Sequence, residues 1–162
     1  MVEQAEPKLR RDVFVALAAV AWADGKLEPD EADAIVRAAV DEGLPLEEIA
    51  EIEDATKTKV DLGALDRTGL GKEDRLFVYA MACWIARLDG QVTPAEAKAL
   101  AGLGERLGIP ERPRAHAEAA AREVAEMPEG DRPARYDLVA LRRILGERLK
   151  TAQAAAGRTT AG

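Results

Sequence analysis

An all-α fold is what the sequence predicts, and three observations predict it. The apolar residues are chiefly Ala and Leu, with aromatics at only 4%, and such a mixture favours helix over sheet. Apolar positions recur at three- and four-residue steps, the period of an amphipathic helix. Between the periodic stretches stand short Gly- and Pro-containing breaks such as DG, GLP and GIP, which stop one helix and start the next. At 162 residues, 48% hydrophobic and 33% charged, the chain fits one globular domain with its own core.

The first helix is expected over residues 8–23, where Leu9, Val13, Leu17, Val20 and Ala21 form a stripe. Asp24-Gly25 closes it, because glycine takes the left-handed conformation at low cost. A second helix starts after Glu28-Pro29, proline being tolerated where the N–H has no intrahelical partner. It carries Ala34, Ile35, Ala38 and Ala39 and ends at Gly43-Leu44-Pro45. The third, 45–59, is mostly charged, with Leu46, Ile49, Ala50 and Ile52 as its apolar edge. Residues 61–71 (DLGALDRTGLG) read as a loop with one helical turn. The most apolar helix, 72–88, holds Leu76, Phe77, Met81, Trp84, Ile85 and Leu88 and is expected at the core. Thr93-Pro94-Ala95-Glu96 opens the next, which stops at Gly108-Ile109-Pro110. Two more, 114–126 and 133–150, give seven helices, and residues 151–162 are expected to form a flexible tail beyond a single domain of residues 1–150.

With a shift of 65, residues 13–45 match 78–110. Val13 falls on Val78, Val20 on Ile85, Asp24-Gly25 on Asp89-Gly90, Pro29 on Pro94, and Glu31-Ala32 on Glu96-Ala97. Two copies of a helical hairpin are too few for a solenoid. They suggest a four-helix core with pseudo-twofold symmetry, the remaining helices packing around it.

Charge and cysteine count exclude several functions. A net charge of −7 opposes nucleic-acid binding, which demands a basic face. Cys83 is the only cysteine, so intramolecular disulfides and thiolate zinc sites are excluded. The stretch MVEQAEPKLRR lacks the order of a signal peptide. No apolar run approaches the roughly 20 residues that span a bilayer. A soluble cytoplasmic protein, not itself membrane-inserted, is expected.

The paired patterns A-x-x-A-W-A-D-G-K-L-x-P-x-E and I-A-R-L-D-G-Q-V-T-P-x-E, with L-G-I-P closing the second, resemble the tellurite-resistance TerB-like family over residues 8–127. The resemblance implies an all-helical, non-enzymatic, acidic module of a bacterial stress-response system. It also implies protein partners at a membrane-associated complex and divalent-metal binding. The Arg-rich segment 132–150 lies outside the matched pattern.

Two sets of residues are candidates for function. "WADGKLEPDE" (22–31) contains half of a calcium loop, but an EF-hand also needs oxygen ligands at positions 1 and 3. Val20 and Trp22 stand there, and Ile85 and Arg87 in the second copy, so a true EF-hand is rejected. Asp24, Glu31, Asp89 and Glu96 remain as candidate ligands for weakly held Ca²⁺, Mg²⁺ or Mn²⁺, the cations that hard oxygen donors select. Against this stands a structural role: Thr93 and Glu96 form a capping box, Glu28 and Glu31 an imperfect one, and Asp-Gly is ordinary turn chemistry. The second set is an acidic surface. Between residues 24 and 54 twelve acids face only Lys26 and Arg37, a local charge of −10. Glu28, Asp30, Asp33, Glu47, Glu48 and Glu51 are its expected docking residues for a basic partner. No catalytic constellation emerges, since His116 has no nucleophile placed beside it by sequence. Gly102 and Gly104 are expected to permit close helix packing, and Cys83 and Trp84 to lie in the core. The expected function is a non-catalytic acidic module. A metal-dependent enzyme or sensor built on the duplicated corners, or a purely structural adaptor, are the alternatives.

Overall fold

The structure, a computed structural model, describes residues 9–60, 70–87, 92–126 and 138–161. Among them are seven α-helices and no strand. In order these are α1 (Arg11–Ala21), α2 (Pro29–Glu42), α3 (Leu46–Lys57), α4 (Lys72–Ala86), α5 (Pro94–Arg106), α6 (Glu111–Ala125) and α7 (Leu138–Ala161), with a 3-10 turn, Trp22–Asp24, after α1. Helix α4 occupies the centre. It is buried without interruption from Leu76 to Ala86, as expected of a helix that is apolar all round. Around it pack α1, α2, α5, α6 and α7.

The two hairpins, α1–α2 and α4–α5, end in the same way. Leu44 N–H donates to Ala39 O at 3.3 Å and Gly43 N–H to Val40 O at 3.0 Å. Ile109 N–H donates to Gly104 O at 2.9 Å and Gly108 N–H to Glu105 O at 3.0 Å. Gly43 and Gly108 sit at φ 89° and 70°, where a Cβ would clash with its own backbone. Leu44 and Ile109, one residue on, are buried. This is the Schellman stop, with its apolar lock after the glycine. Each stop leads directly into another helix: α3 lies on α1 and α2, and α6 lies on α4.

Two boundaries differ from the sequence expectation for identifiable reasons. Helix α6 begins at Glu111, with Pro110 as its N-cap, rather than at Arg114. Pro113 reads as a breaker, yet in the first turn its missing N–H costs no hydrogen bond. Helix α7 continues to Ala161, past the expected end at Lys150, through an alanine-rich stretch of high helix propensity. The expected loop at 61–69 and the start of the last helix before Leu138 lie outside the described residues.

Helix α7 is held by more than apolar contact. Ala140, Leu141 and Leu145 are buried against α4 and α6. Arg142 donates to Asp74 Oδ1 at 3.0 Å and to both carboxylate oxygens of Glu42 at 3.3 Å. Its guanidinium also lies 4.1 Å from the centre of the Phe77 ring. Arg148 donates to Glu123 Oε2 at 2.6 Å. Two basic residues of this helix thus staple it to its neighbours.

Candidate functional site

The corners come first. Glu31 and Glu96 are buried, at 4% and 1% exposure, and each occupies the third position of its helix. Glu31 Oε1 accepts from Glu28 N–H at 3.0 Å, and Glu96 Oε1 accepts from Thr93 N–H at 3.1 Å. Thr93 Oγ1 accepts in return from Glu96 N–H at 3.1 Å. Both carboxylates therefore close capping boxes, satisfying N–H groups that the first turn of a helix leaves without partners. The Asp24 side chain and all of Asp89 lie outside what the structure describes. The 3-10 turn that carries Asp24 packs on α5, the helix that carries Glu96. Among the described residues no three His, Cys, Asp or Glu side chains gather as a metal-sized cluster. A hard cation of this class takes about six to eight oxygen ligands. Glu31 and Glu96 alone do not supply such a set.

The acidic surface is built by α2, α3 and the turn between them. Asp30, Asp33, Asp41, Glu47 and Glu53 are exposed there. Not all of the expected docking residues are equally available. Glu48 accepts from Arg10 at 3.2 Å, and Glu51 is paired with Arg11, so the basic start of α1 neutralises part of the face. Glu51 and the neighbouring Glu48 in turn hold the Arg11 pKa above its ordinary value. Glu28 lies 3.4 Å from Lys26 at the exposed corner.

Within the same surface lie the two large apolar side chains that the described part of the molecule exposes most. Val40 is 54% exposed at the end of α2, and Leu46 is 84% exposed at the start of α3. They flank the Gly43-Leu44-Pro45 turn, next to Asp41 and Glu47. Leu46 was expected on the apolar edge of α3. Only Ile52 of that edge is fully buried, Ile49 is half-buried and Ala50 is exposed. Helix α3 meets α1 and α2 along its later turns, through Ile52, Ala55 and Thr56. Its first turn projects Leu46 into solvent. The signal that could have found it is the spacing: Leu46 stands six residues before Ile52, off the face that Ile52 and Ala55 define.

The other reactive groups are built into the core or the surface. Burial raises the Tyr79 hydroxyl to about 12 and the Cys83 thiol to about 12, with Cys83 and Glu118 respectively adding to the effect. A thiol held in this way is a small apolar side chain rather than a nucleophile. His116 is exposed on α6. Trp84 is buried, whereas Trp22 is half-buried, its indole N–H donating to Ala55 O at 2.8 Å. That bond ties the first corner to the end of α3. Gly104 packs against Arg114, as expected of a glycine permitting close approach.

Comparison with protein families, with curated proteins and with solved structures finds no match to this chain. No helix is long and apolar enough to cross a membrane, among the residues described.

Proposed function

We propose that this protein is a TerB-like, non-catalytic helical module that docks basic protein partners on the surface formed by α2 and α3, within a stress-response system of the tellurite-resistance type. One observation carries the reading: Val40 and Leu46 are exposed together in the midst of the acidic run. Acids alone end on solvated helix faces without further meaning. Two exposed apolar side chains beside the exposed acids Asp41 and Glu47 support the reading of a small apolar patch with a polar rim. A partner suited to it presents an apolar side chain flanked by Lys or Arg. Opposite charge hastens the encounter, and apolar contact holds the complex.

Weak divalent-cation binding at the two corners is a separate part of this reading. Asp24 with Glu31, or Asp89 with Glu96, each completed by water, would be the ligands of a weakly held hard cation, and the chemistry it would supply is charge neutralisation. Capture of partners by the wild-type chain, compared with a Leu46→Ser/Glu47→Lys variant, tests the docking. Both positions are exposed, so the variant is expected to keep the fold, which circular dichroism checks. Loss of the captured partners supports the proposal, and an unchanged set refutes it. Calorimetric titration with Ca²⁺, Mg²⁺ and Mn²⁺, repeated on Asp24→Asn/Asp89→Asn, tests the cation separately. Absence of saturable heat with the wild-type chain removes the metal from the reading and leaves the docking intact.

A further inference from the structure

A cavity of about 360 Å³ opens between the first turns of α4 and α6 and the middle of α7. Its walls are apolar, supplied by Leu76, Ile109, Pro110 and Leu149. The charged side chains that border it are Lys72 and Arg75, both cationic in a chain whose net charge is −7. Its size falls at the lower end of the roughly 300–1,000 Å³ of small-molecule pockets, and an apolar wall with few polar groups is their usual make-up.

The cations are placed rather than incidental. Arg75 is fixed at the mouth by donating from Nε to Leu70 O at 2.9 Å and from Nη1 to Leu107 O at 3.2 Å. Lys72 is exposed and opens α4. Two acids follow it in the first turn of α4. Asp74 accepts from Arg142 at 3.0 Å, and the Glu73 carboxylate lies against Gly146 of α7. Helices α4 and α6 both begin at the cavity without a side-chain cap, Gly71 and Pro110 standing at their N-caps. The positive ends of two helix dipoles face the same region, offset in part by the first-turn acids Glu73, Asp74 and Glu111.

We infer that this cavity binds a small aliphatic carboxylate, its chain against Leu76, Ile109 and Leu149 and its head at Lys72. A neutral hydrocarbon would make no use of the cationic mouth, and an amine would be repelled by it. Because the Arg75 guanidinium is tied to two carbonyl oxygens, Lys72 is the cation that meets the head, and one cation suits a monoanion. The site uses no residue of α2 or α3, so it stands or falls independently of partner docking.

The test is a titration of the full chain with octanoate, followed by amide chemical shifts and run beside octan-1-ol and a Lys72→Glu variant. Lys72 is exposed, so that variant folds. Saturable shifts at the Gly108, Ile109 and Leu149 amides are expected. Lys72→Glu should weaken octanoate about fivefold or more and leave octan-1-ol unchanged, the size of effect that about 1 kcal/mol of charge contact produces. No saturable shift at those amides, equal affinity for octan-1-ol, or an octanoate affinity indifferent to Lys72→Glu would each overturn the inference.

Discussion

Arg142 is the residue whose removal should most sharply reveal how α7 is attached. Its guanidinium bridges Asp74 on α4 and Glu42 at the end of α2, and covers the Phe77 ring at 4.1 Å. The magnitude follows from burial. Breaking a fully buried ion pair costs about 3–5 kcal/mol because a charge is left behind, whereas an exposed pair is worth about 0–1 kcal/mol. Here the side chains of Arg142, Glu42 and Asp74 are 29%, 17% and 10% exposed, between those limits and nearer the buried one. Arg142→Met keeps the aliphatic stem over Phe77 while removing the charge, and it should cost about 2–3 kcal/mol. For a chain of this size that is a fall in Tm of roughly 4–12 °C. Urea denaturation followed by helical circular dichroism measures it. Asp74→Asn and the double variant complete a cycle, and a coupling of about 1 kcal/mol or more is expected between groups in direct contact. A cost below about 0.5 kcal/mol with no coupling would refute the staple, leaving α7 held by Ala140, Leu141 and Leu145 alone.

Three further outcomes are expected. A Cβ at Gly104 would stand 2.5 Å from Arg114 Nε, whose N–H also donates to Ile109 O at 2.7 Å, so Gly104→Ala should destabilise by about 1–3 kcal/mol, read as a lower urea midpoint. Raising pH should unfold the protein through Cys83 and Tyr79, both raised to about 12 by burial. The unfolded chain releases these protons first, so their stabilisation is complete below pH 9 and is lost between about pH 9 and 12; flat stability across that window would contradict it. Replacing the first corner's exposed acids by the residues of the second, Glu28→Thr, Asp30→Ala and Asp33→Lys, should leave thermal stability unchanged or higher and weaken partner capture. A large fall in Tm would show that these acids serve the fold.

The stops and starts of the helices were legible because they are local. Gly43-Leu44-Pro45 and Gly108-Ile109-Pro110 contain the left-handed residue, its apolar lock and the next N-cap in three consecutive positions. Thr93 and Glu96 could likewise be read as a box from spacing alone. What stayed hidden is what depends on separation. Arg142 finds Asp74 and Glu42 across 68 and 100 residues, and no periodicity marks that choice. The same holds for Arg10 and Arg11, which take up Glu48 and Glu51 and so remove two residues from the expected free acidic face. Leu46 illustrates the converse error: apolar identity placed it on the buried edge, but the crossing of α3 with α1 and α2 begins later in the helix.

The duplicated corner supplies its own control for what a fold requires. At the second corner Thr93 caps with a neutral hydroxyl, and Ala95 and Lys98 occupy the places that Asp30 and Asp33 hold in the first. Both corners nonetheless bury the same glutamate and close the same backbone N–H. The N-cap is supplied by the Glu28 carboxylate at the first corner and by the neutral Thr93 hydroxyl at the second, and neither start needs Asp30 or Asp33. Asp30 and Asp33 are exposed and repel one another, and helix-dipole compensation at the surface returns only about 0.3–1 kcal/mol for each acid near the N-terminus. Local stability is thus a weak reason for Asp30 and Asp33, whose places Ala95 and Lys98 take in the second copy. Under the proposed docking role these two charges would serve to attract a basic partner, and that role applies to the first corner alone.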